Sequence, residues 1–424
     1  MTRVAIIGGG IGGLAAALAL VQAGAEVHVY EAAAELREIG AGVALHPNAM
    51  RVLRAVGAED AVRAVAGRSP WAVTRDGITG RVISRTSRAQ QAATLGIEGT
   101  TVHRADLLDV LVRALPPGIV TLAKRCTSVR NEPAAAVATF DDGSTAEADV
   151  IVGADGIHSV VRASLFGPDA PRFTGKICYR SVIPAAVVGS GALPADDADH
   201  ADHADHADHA DGADGADGAA ENGQWLGPHG TIVLYPVRGT ELINVVCHHD
   251  DEGYRHESWV TECPRAEVLD RYAGWNESLL RLFAAGQTWY KWALYDREPI
   301  PRWTLGRVTL LGDAAHPMLP YLGQGACQAL EDAAVLANAL RAEPADPVAA
   351  LGRYEGTRRP RASRVVLTAR ERGLSNHLPS RWAVLRRDLA IALRRRLNPS
   401  DLDGRGASWI ASYDATSPDV LVPR

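Results

Sequence analysis

The sequence has no uninterrupted apolar stretch as long as a membrane span, so no bilayer-crossing helix is expected. Its five cysteines (Cys126, Cys178, Cys247, Cys263 and Cys327) are odd in number, scattered and without CxxC spacing. That pattern argues against a disulfide framework or a structural zinc site and reads as the reduced thiols of a cytoplasmic protein. An N-terminal leader is not expected, because the first strand-like run already begins at Val4. Nor is there a strong basic face for nucleic acid. The net charge of −6 becomes about +3 once the nine Asp between Ala195 and Ala219 are set aside. What remains is a chain of 424 residues, 47% hydrophobic and 22% charged, ordinary for a globular protein with room for two or three domains.

The most informative stretch is the first thirty residues. Val4–Ile7 is a continuous apolar run, the signature of a strand buried on both faces of a parallel sheet. It breaks into Gly8-x-Gly10-x-x-Gly13, and a helical pattern follows to Ala23, stopping at Gly24. The first glycine permits a tight turn, the second lets a pyrophosphate approach, and the third lets helix and strand pack closely. The helix N-terminus offers free N–H groups and partial positive charge to a diphosphate. A second strand, Val27–Tyr30, ends in Glu31-Ala32, where the carboxylate is placed to accept from both hydroxyls of a ribose. This unit does not by itself choose between FAD and NAD.

Further along, Gly40 and Gly42 flank a turn, with Arg37 and His46 as candidates for cofactor contacts or for plain cap and surface roles. Pro47 opens a helix ending at Gly57, and Trp71–Leu95 holds short β-like pieces. Arg104 stands at the entrance of a helix, open to a surface salt bridge or a phosphate contact. Asp141-Asp-Gly143 signals a hairpin. The buried strand Val150–Val152 runs into Gly153-Ala-Asp155-Gly156, where Asp155 accepts from a ligand hydroxyl or, on position alone, caps the following helix, which carries Arg162. From Ala198 to Gly218 a period-three Ala-Asp-His/Gly tract lacks large apolar residues and reads as a solvated, flexible insert, adventitious metal binding being the alternative.

Thr231–Tyr235 and Leu242–Val246 read as a hairpin joined through Arg238-Gly239. Residues 257–286 read as helical, with Trp259, Leu269, Trp275 and Leu280 in the core. A third buried strand, 308–311, ends in Gly312-Asp313, and a proline-containing loop leads to Gly323-Gln324-Gly325. A long helix then begins at Ala326, its N-terminus suited to stabilising negative charge. A helical segment follows Pro347 to about Val366, and the basic stretch Arg381–Arg396 suggests a solvated helix.

Three strand–turn–helix units in this order, with Trp292-Ala-Leu-Tyr-Asp-Arg-Glu-Pro299, Gly306–Pro317, Gly323–Ala326 and Leu330-Glu-Asp-Ala333, resemble the single-component FAD-dependent aromatic monooxygenases of the para-hydroxybenzoate hydroxylase fold. The stretches look like those of salicylate and 3-hydroxybenzoate hydroxylases. The likeness runs from residue 2 to about 365. It implies an α/β fold: a Rossmann-type FAD-binding domain (1–70, 98–175 and 288–345), an inserted mixed-sheet substrate domain (71–97 and 176–287) and a C-terminal helical region (346–424). It also implies FAD held by Gly8, Gly10, Gly13, Glu31 and Ala32, with Arg104 and Asp313 on the ribityl–diphosphate part. Val43, Ala44, Gly323, Gln324, Gly325 and Ala326 would line the isoalloxazine, and Asp155-Gly156 would serve FAD and the nicotinamide donor.

On this resemblance NADH or NADPH reduces the flavin, O₂ adds to form a C4a-hydroperoxide, and its distal OH passes to an electron-rich, hydroxybenzoate-like ring. Tyr235 would face that ring, with His316 or His229 helping to orient the phenol, though His316, following Asp313, is equally open to a structural role and His229, in a loop, to plain solvation. Some relatives carry a histidine four residues before the tyrosine; here that place is Thr231, which cannot act as a base near neutral pH. The expected partners are a small aromatic and O₂, with neither nucleic acid, membrane nor resident metal, and a homodimer is compatible. Rival readings are a flavin oxidoreductase without oxygenation and a non-catalytic flavin-binding protein. The halogenase Trp-x-Trp-x-Ile-Pro pattern is missing after Trp289.

Overall fold

A computed structural model describes residues 1–36, 41–188, 222–397 and 408–421. Arg37 and Gly40 and the Ala-Asp-His tract lie outside the described residues. A six-stranded sheet carries the first layer, in the order Thr304–Leu305, Val308–Leu310, Val150–Gly153, Arg3–Ile7, Glu26–Tyr30, Val120–Thr121. Its strands run parallel except for the outermost pair. The central strands are buried along almost their whole length because both helices and a three-stranded sheet (Cys126–Asn131, Ala136–Phe140, Thr145–Ala148) pack against them, which is why they read as unbroken apolar runs. The helix Ile11–Gln22 packs closely on the long helix Gly325–Ala342, and a Cβ on Gly12 would come within 3.0 Å of the Ala329 Cβ. The Asp141–Gly143 turn joins Ala136–Phe140 to Thr145–Ala148, with Gly143 at φ 79°.

The second layer is an eight-stranded mixed sheet in the order Glu262–Cys263, Trp289–Asp296, Arg172–Pro184, Leu242–Asp250, Gly230–Val237, Asn222–Gly227, Trp71–Asp76, Val82–Ser87. Only the Asn222–Gly227 and Trp71–Asp76 pair is parallel. Trp289–Asp296 pairs with Arg172–Pro184, so this stretch belongs to the second sheet and not to the first domain expected to resume at 288. Arg172–Pro184 likewise starts before the boundary at 176. The two layers interlock where Gly42–Leu45 pairs with Thr100–His103. There the Gly42 N–H donates to Asn244 Oδ1 at 2.8 Å and the Thr101 hydroxyl donates to the Pro236 carbonyl at 2.6 Å.

The single helical reading of 257–286 is corrected. A short strand precedes two separate helices, Arg265–Arg271 and Glu277–Ala285, because Pro264 and the left-handed Gly274 interrupt the chain. Trp275 is buried, but Trp259 is 52% exposed and stacks on Trp292 with ring centroids 5.0 Å apart. At the C-terminal end the helix Pro347–Asn376 runs ten residues past Val366, and Arg381–Leu397 leaves Trp382, Leu389 and Leu397 exposed. No described helix is long and apolar enough to cross a membrane.

Candidate active site

The glycines of the opening turn divide into those that make the turn and one that leaves room. Gly8 sits at φ 111°, and a Cβ there would lie 2.3 Å from the Ala154 carbonyl oxygen; at Gly13 it would lie 2.0 Å from that of Gly8. A Cβ on Gly10 would meet nothing within 4 Å. Gly10, Ile11 and Gly12 instead form one wall of a cavity of about 930 Å³. The helix they open has no side-chain cap and no acid in its first turn, so its N–H groups face that space. Glu31 is anchored beside it. One carboxylate oxygen accepts from the Gly9 N–H at 2.6 Å and the other from the Ala33 N–H at 2.7 Å, leaving further lone pairs for hydroxyl donors.

A second stretch of wall is built by Gly312, Asp313 and the turn Gly323-Gln324-Gly325-Ala326. Gly323 takes φ 60°, and a Cβ on Gly325 would meet open space. The helix starting there is also uncapped and without an acid in its first turn. Asp313 opens to solvent through the cavity, while protein encloses its other sides. That burial raises its pKa, against the lowering influence of His316 and Arg104. A buried polar network under this wall holds both turns. Asp332 Oδ2 accepts from the Gly312 N–H at 3.0 Å, and Gln324 Oε1 accepts from the Asn48 amide at 3.0 Å. Asn48 also donates to Glu331 at 2.7 Å, and Arg358 donates to Glu331, Asp332 and Gln328.

Above these turns, the eight-stranded sheet contributes Arg180, Gln224, Val233, Tyr235, Val246, His248 and Trp292 to the same cavity. Tyr235 is buried beneath Gly42, where a Cβ would come within 2.2 Å of its ring, and burial pushes its phenol pKa up. The Arg180 guanidinium lies 5.0 Å from the centroid of the Trp292 ring. It is 6% exposed, and burial lowers its pKa from the ordinary arginine value.

The FAD binding domain family matches residues 1–369 of the chain. The chain belongs to this family. It is 36% identical over 414 residues to a 3-amino-4-hydroxybenzoate 2-monooxygenase of Streptomyces platensis, covering 97% of this chain and 96% of the relative. It is 37% identical to a 3-hydroxybenzoate 6-hydroxylase of Polaromonas naphthalenivorans (strain CJ2), over 91% of each chain. Among solved structures, Klebsiella pneumoniae HpxO with FAD and uric acid superposes with a TM-score of 0.79 at 27% identity, covering 99% of this chain and 97% of that one. The protein is an FAD-dependent aromatic monooxygenase, with NADH or NADPH as co-substrate.

The residues present fit the flavin nucleotide. Two uncapped helix N-termini open on one cavity, and a glycine at each leaves space where a side chain would block approach. Of the candidate cofactor residues, Gly10, Val43, Ala44, Arg104, Gly156, Asp313, Gly323, Gln324, Gly325 and Ala326 line the cavity. Gly8 and Gly13 shape the turn behind it, and Glu31 with Ala32 lies at the strand end beyond it. His46 lines the cavity too.

Asp155 does not reach that cavity. Its carboxylate accepts from the Ser159 hydroxyl and from the N–H groups of Val160 and Val161, and so caps the helix Val160–Phe166. Arg162, within that helix, pairs with Asp169.

Three of the four catalytic candidates do not line the cavity. His316 is buried outside it, with Nε2 2.6 Å from Asp332 Oδ2 and its ring beside Trp303. That bond makes it part of the network under the flavin-side wall. His229 is half exposed in a turn at φ 57°, 3.3 Å from Asp250. Thr231 is buried but is not among the lining residues. Only Tyr235 reaches the site. Sequence reading missed Arg180, His248 and Trp292, all on strands. Their alternation places them on one face, but only the pairing register shows which face covers the flavin side.

Proposed function

We propose that this monooxygenase hydroxylates a small aromatic ring carrying a hydroxyl and a carboxylate. The carrying observation is the Arg180 guanidinium, buried in the cavity wall beside the apolar pair Val233 and Val246 and the Tyr235 ring. A guanidinium in the wall of such a cavity can offer charge-assisted, bidentate hydrogen bonds to a carboxylate. Relatives named for 3-amino-4-hydroxybenzoate and 3-hydroxybenzoate support the same class.

FAD, reduced by the nicotinamide, supplies the oxygen-transfer chemistry. The chain's own residues position and shield. Gly10–Gly12 at one helix start would hold the diphosphate, with Arg104 and Asp313 beside the linking sugar chain and Glu31 at the adenosine end. The N–H groups at Gly325 and Ala326 would stabilise negative charge on the flavin ring. Val233, Val246, Trp292 and the Gly42–Ala44 strand would exclude water from the aromatic ring, and Arg180 with Tyr235 would fix its orientation. We place the enzyme in the cytoplasm, where NADH and NADPH are supplied and its five free cysteines stay reduced. We take it as a homodimer, which sedimentation would test.

The test is to purify the yellow holoenzyme and follow NADH and NADPH oxidation with a panel of hydroxy- and aminobenzoates, analysing products by mass. Oxidation accelerated by a carboxylated phenol, with a product heavier by one oxygen, supports the reading. Oxidation indifferent to every such aromatic, giving only peroxide, defeats it.

A further inference from the structure

We propose that His248 contacts the ring hydroxyl of the aromatic substrate and accepts its hydrogen bond, doing from the neighbouring strand what Thr231 cannot. This rests on the reading of the cavity as a site for a hydroxylated, carboxylated ring.

Thr231 and His248 are direct partners across the antiparallel pair Gly230–Val237 and Leu242–Asp250. Directly opposed residues share one face of a sheet, so an imidazole at 248 serves the same region as one at 231. His248 lines the cavity and Thr231 does not. The imidazole is 2% exposed, and neither Nδ1 nor Nε2 has a hydrogen-bond partner among the described residues. A buried histidine with both nitrogens unpaired is an unbalanced cost unless a ligand completes it.

Two further unsatisfied atoms lie behind His248, one on the lining residue Tyr321 and one on His377 packed against it. The Tyr321 ring lies 5.0 Å from that of His248, and its hydroxyl is also buried without a partner. His377 stands edge-on to Tyr321 at 5.3 Å, with Nε2 unpaired and Nδ1 2.8 Å from Asp250 Oδ1. Burial, with His377 and Lys176 nearby, pushes the His248 pKa down to about 3. The ring is therefore neutral at working pH, with one nitrogen free to accept, which an imidazolium could not do.

The register sets the spacing. Tyr235 faces Asn244, Val233 faces Val246 and Thr231 faces His248, while Arg180 lies opposite Val246 on its other side. Successive rows on one face are roughly 7 Å apart at ~3.4 Å per residue. A ring lying over Val233 and Val246 thus has Arg180 beside it, Tyr235 at one end and His248 at the other.

The experiment measures binding to the FAD-loaded full chain by perturbation of flavin absorbance. The probes are 3-amino-4-hydroxybenzoate and 3-aminobenzoate, which lacks the hydroxyl. Wild type should prefer the hydroxylated probe by about tenfold or more, the order expected for one hydrogen bond made in a dry site. His248→Ala should bring the two affinities within about twofold, and His248→Gln, whose amide oxygen still accepts, should keep most of the preference. His248→Phe retains ring volume without the nitrogens and gives the same readout as Ala should truncation collapse the wall. Full preference in a yellow His248→Ala or His248→Phe variant overturns the assignment and leaves the proposed function standing. A wild-type holoenzyme that binds neither probe nor any other hydroxybenzoate overturns both.

Discussion

Arg358 donates through Nε to Asp332 Oδ1 at 2.7 Å, with both side chains fully buried. Asp332 also receives the Gly312 N–H and faces His316, while Arg358 reaches Glu331 and Gln328. Burial opposes ionisation of Asp332, but His316 and Arg358 outweigh it and hold the carboxyl below its usual range. This is the physical content of the Leu330-Glu-Asp-Ala333 stretch: it ties the two turns of the flavin-side wall to the C-terminal helix.

Arg358→Leu should therefore destabilise the protein by about 3–5 kcal/mol, because it leaves buried carboxylates without their counter-charge. Chemical denaturation measures this. FAD retention should fall with it, as the supports of Gly312 and Gln324 loosen. A variant as stable as wild type would contradict the network's role.

Gly13→Ala and Gly10→Ala should separate folding from cofactor binding. A Cβ at Gly13 collides with the Gly8 carbonyl, whereas at Gly10 it enters open cavity. Gly10 has φ −73°, which any residue adopts. The apo form of Gly10→Ala should stay within about 0.5 kcal/mol of wild type while losing flavin affinity at least tenfold. Gly13→Ala should lose both. Denaturation of apo protein and fluorescence titration with FAD read the two quantities apart.

Arg180→Gln should raise KM for a carboxylated phenol by roughly ten- to a hundredfold, the loss of a charge-assisted hydrogen bond. A phenol without the carboxylate should be little affected. Steady-state kinetics with matched substrate pairs tests this, and equal effects on both would refute a carboxylate role.

The His248 titration predicts a sign for the pH dependence of stability. Its pKa is about 3 in the fold and near 6.5 when unfolded, so the unfolded chain binds the extra proton between those values. Stability is fully present above about pH 6.5 and falls as pH drops toward 3, by up to ~1.4 kcal/mol per pH unit from this residue. His248→Phe should remove that share and flatten the profile, leaving the parts due to His28, His103, His249 and His377, whose pKa values burial also lowers. Denaturation between pH 4 and 7 decides it, and an unchanged slope would count against a buried neutral His248.

Much of the flavin side was legible in the chain because its signals are local. Gly8, Gly10, Gly13 and Glu31 lie within one strand–turn–helix–strand unit, and Gly323–Ala326 with the helix behind it forms another. The substrate side was not. His316 is open in the sequence to a phenol contact or, following Asp313, to a structural role, and its ring turns into the buried network. Trp259 read as core within a supposed helix that Pro264 breaks. Tyr235 was found only through resemblance.

By itself the sequence determined which turns can admit a dinucleotide, since glycine at positions 10 and 325 and the lack of an acid in the first turn of the helix that follows each are written in a few consecutive residues. Which side chains share the cavity with Tyr235 was decided by tertiary structure alone. The pairing of Thr231 with His248, and of Arg180 with Val246, depends on strand register across separations that local propensity does not encode. A shift of one residue would turn all of them to the opposite face.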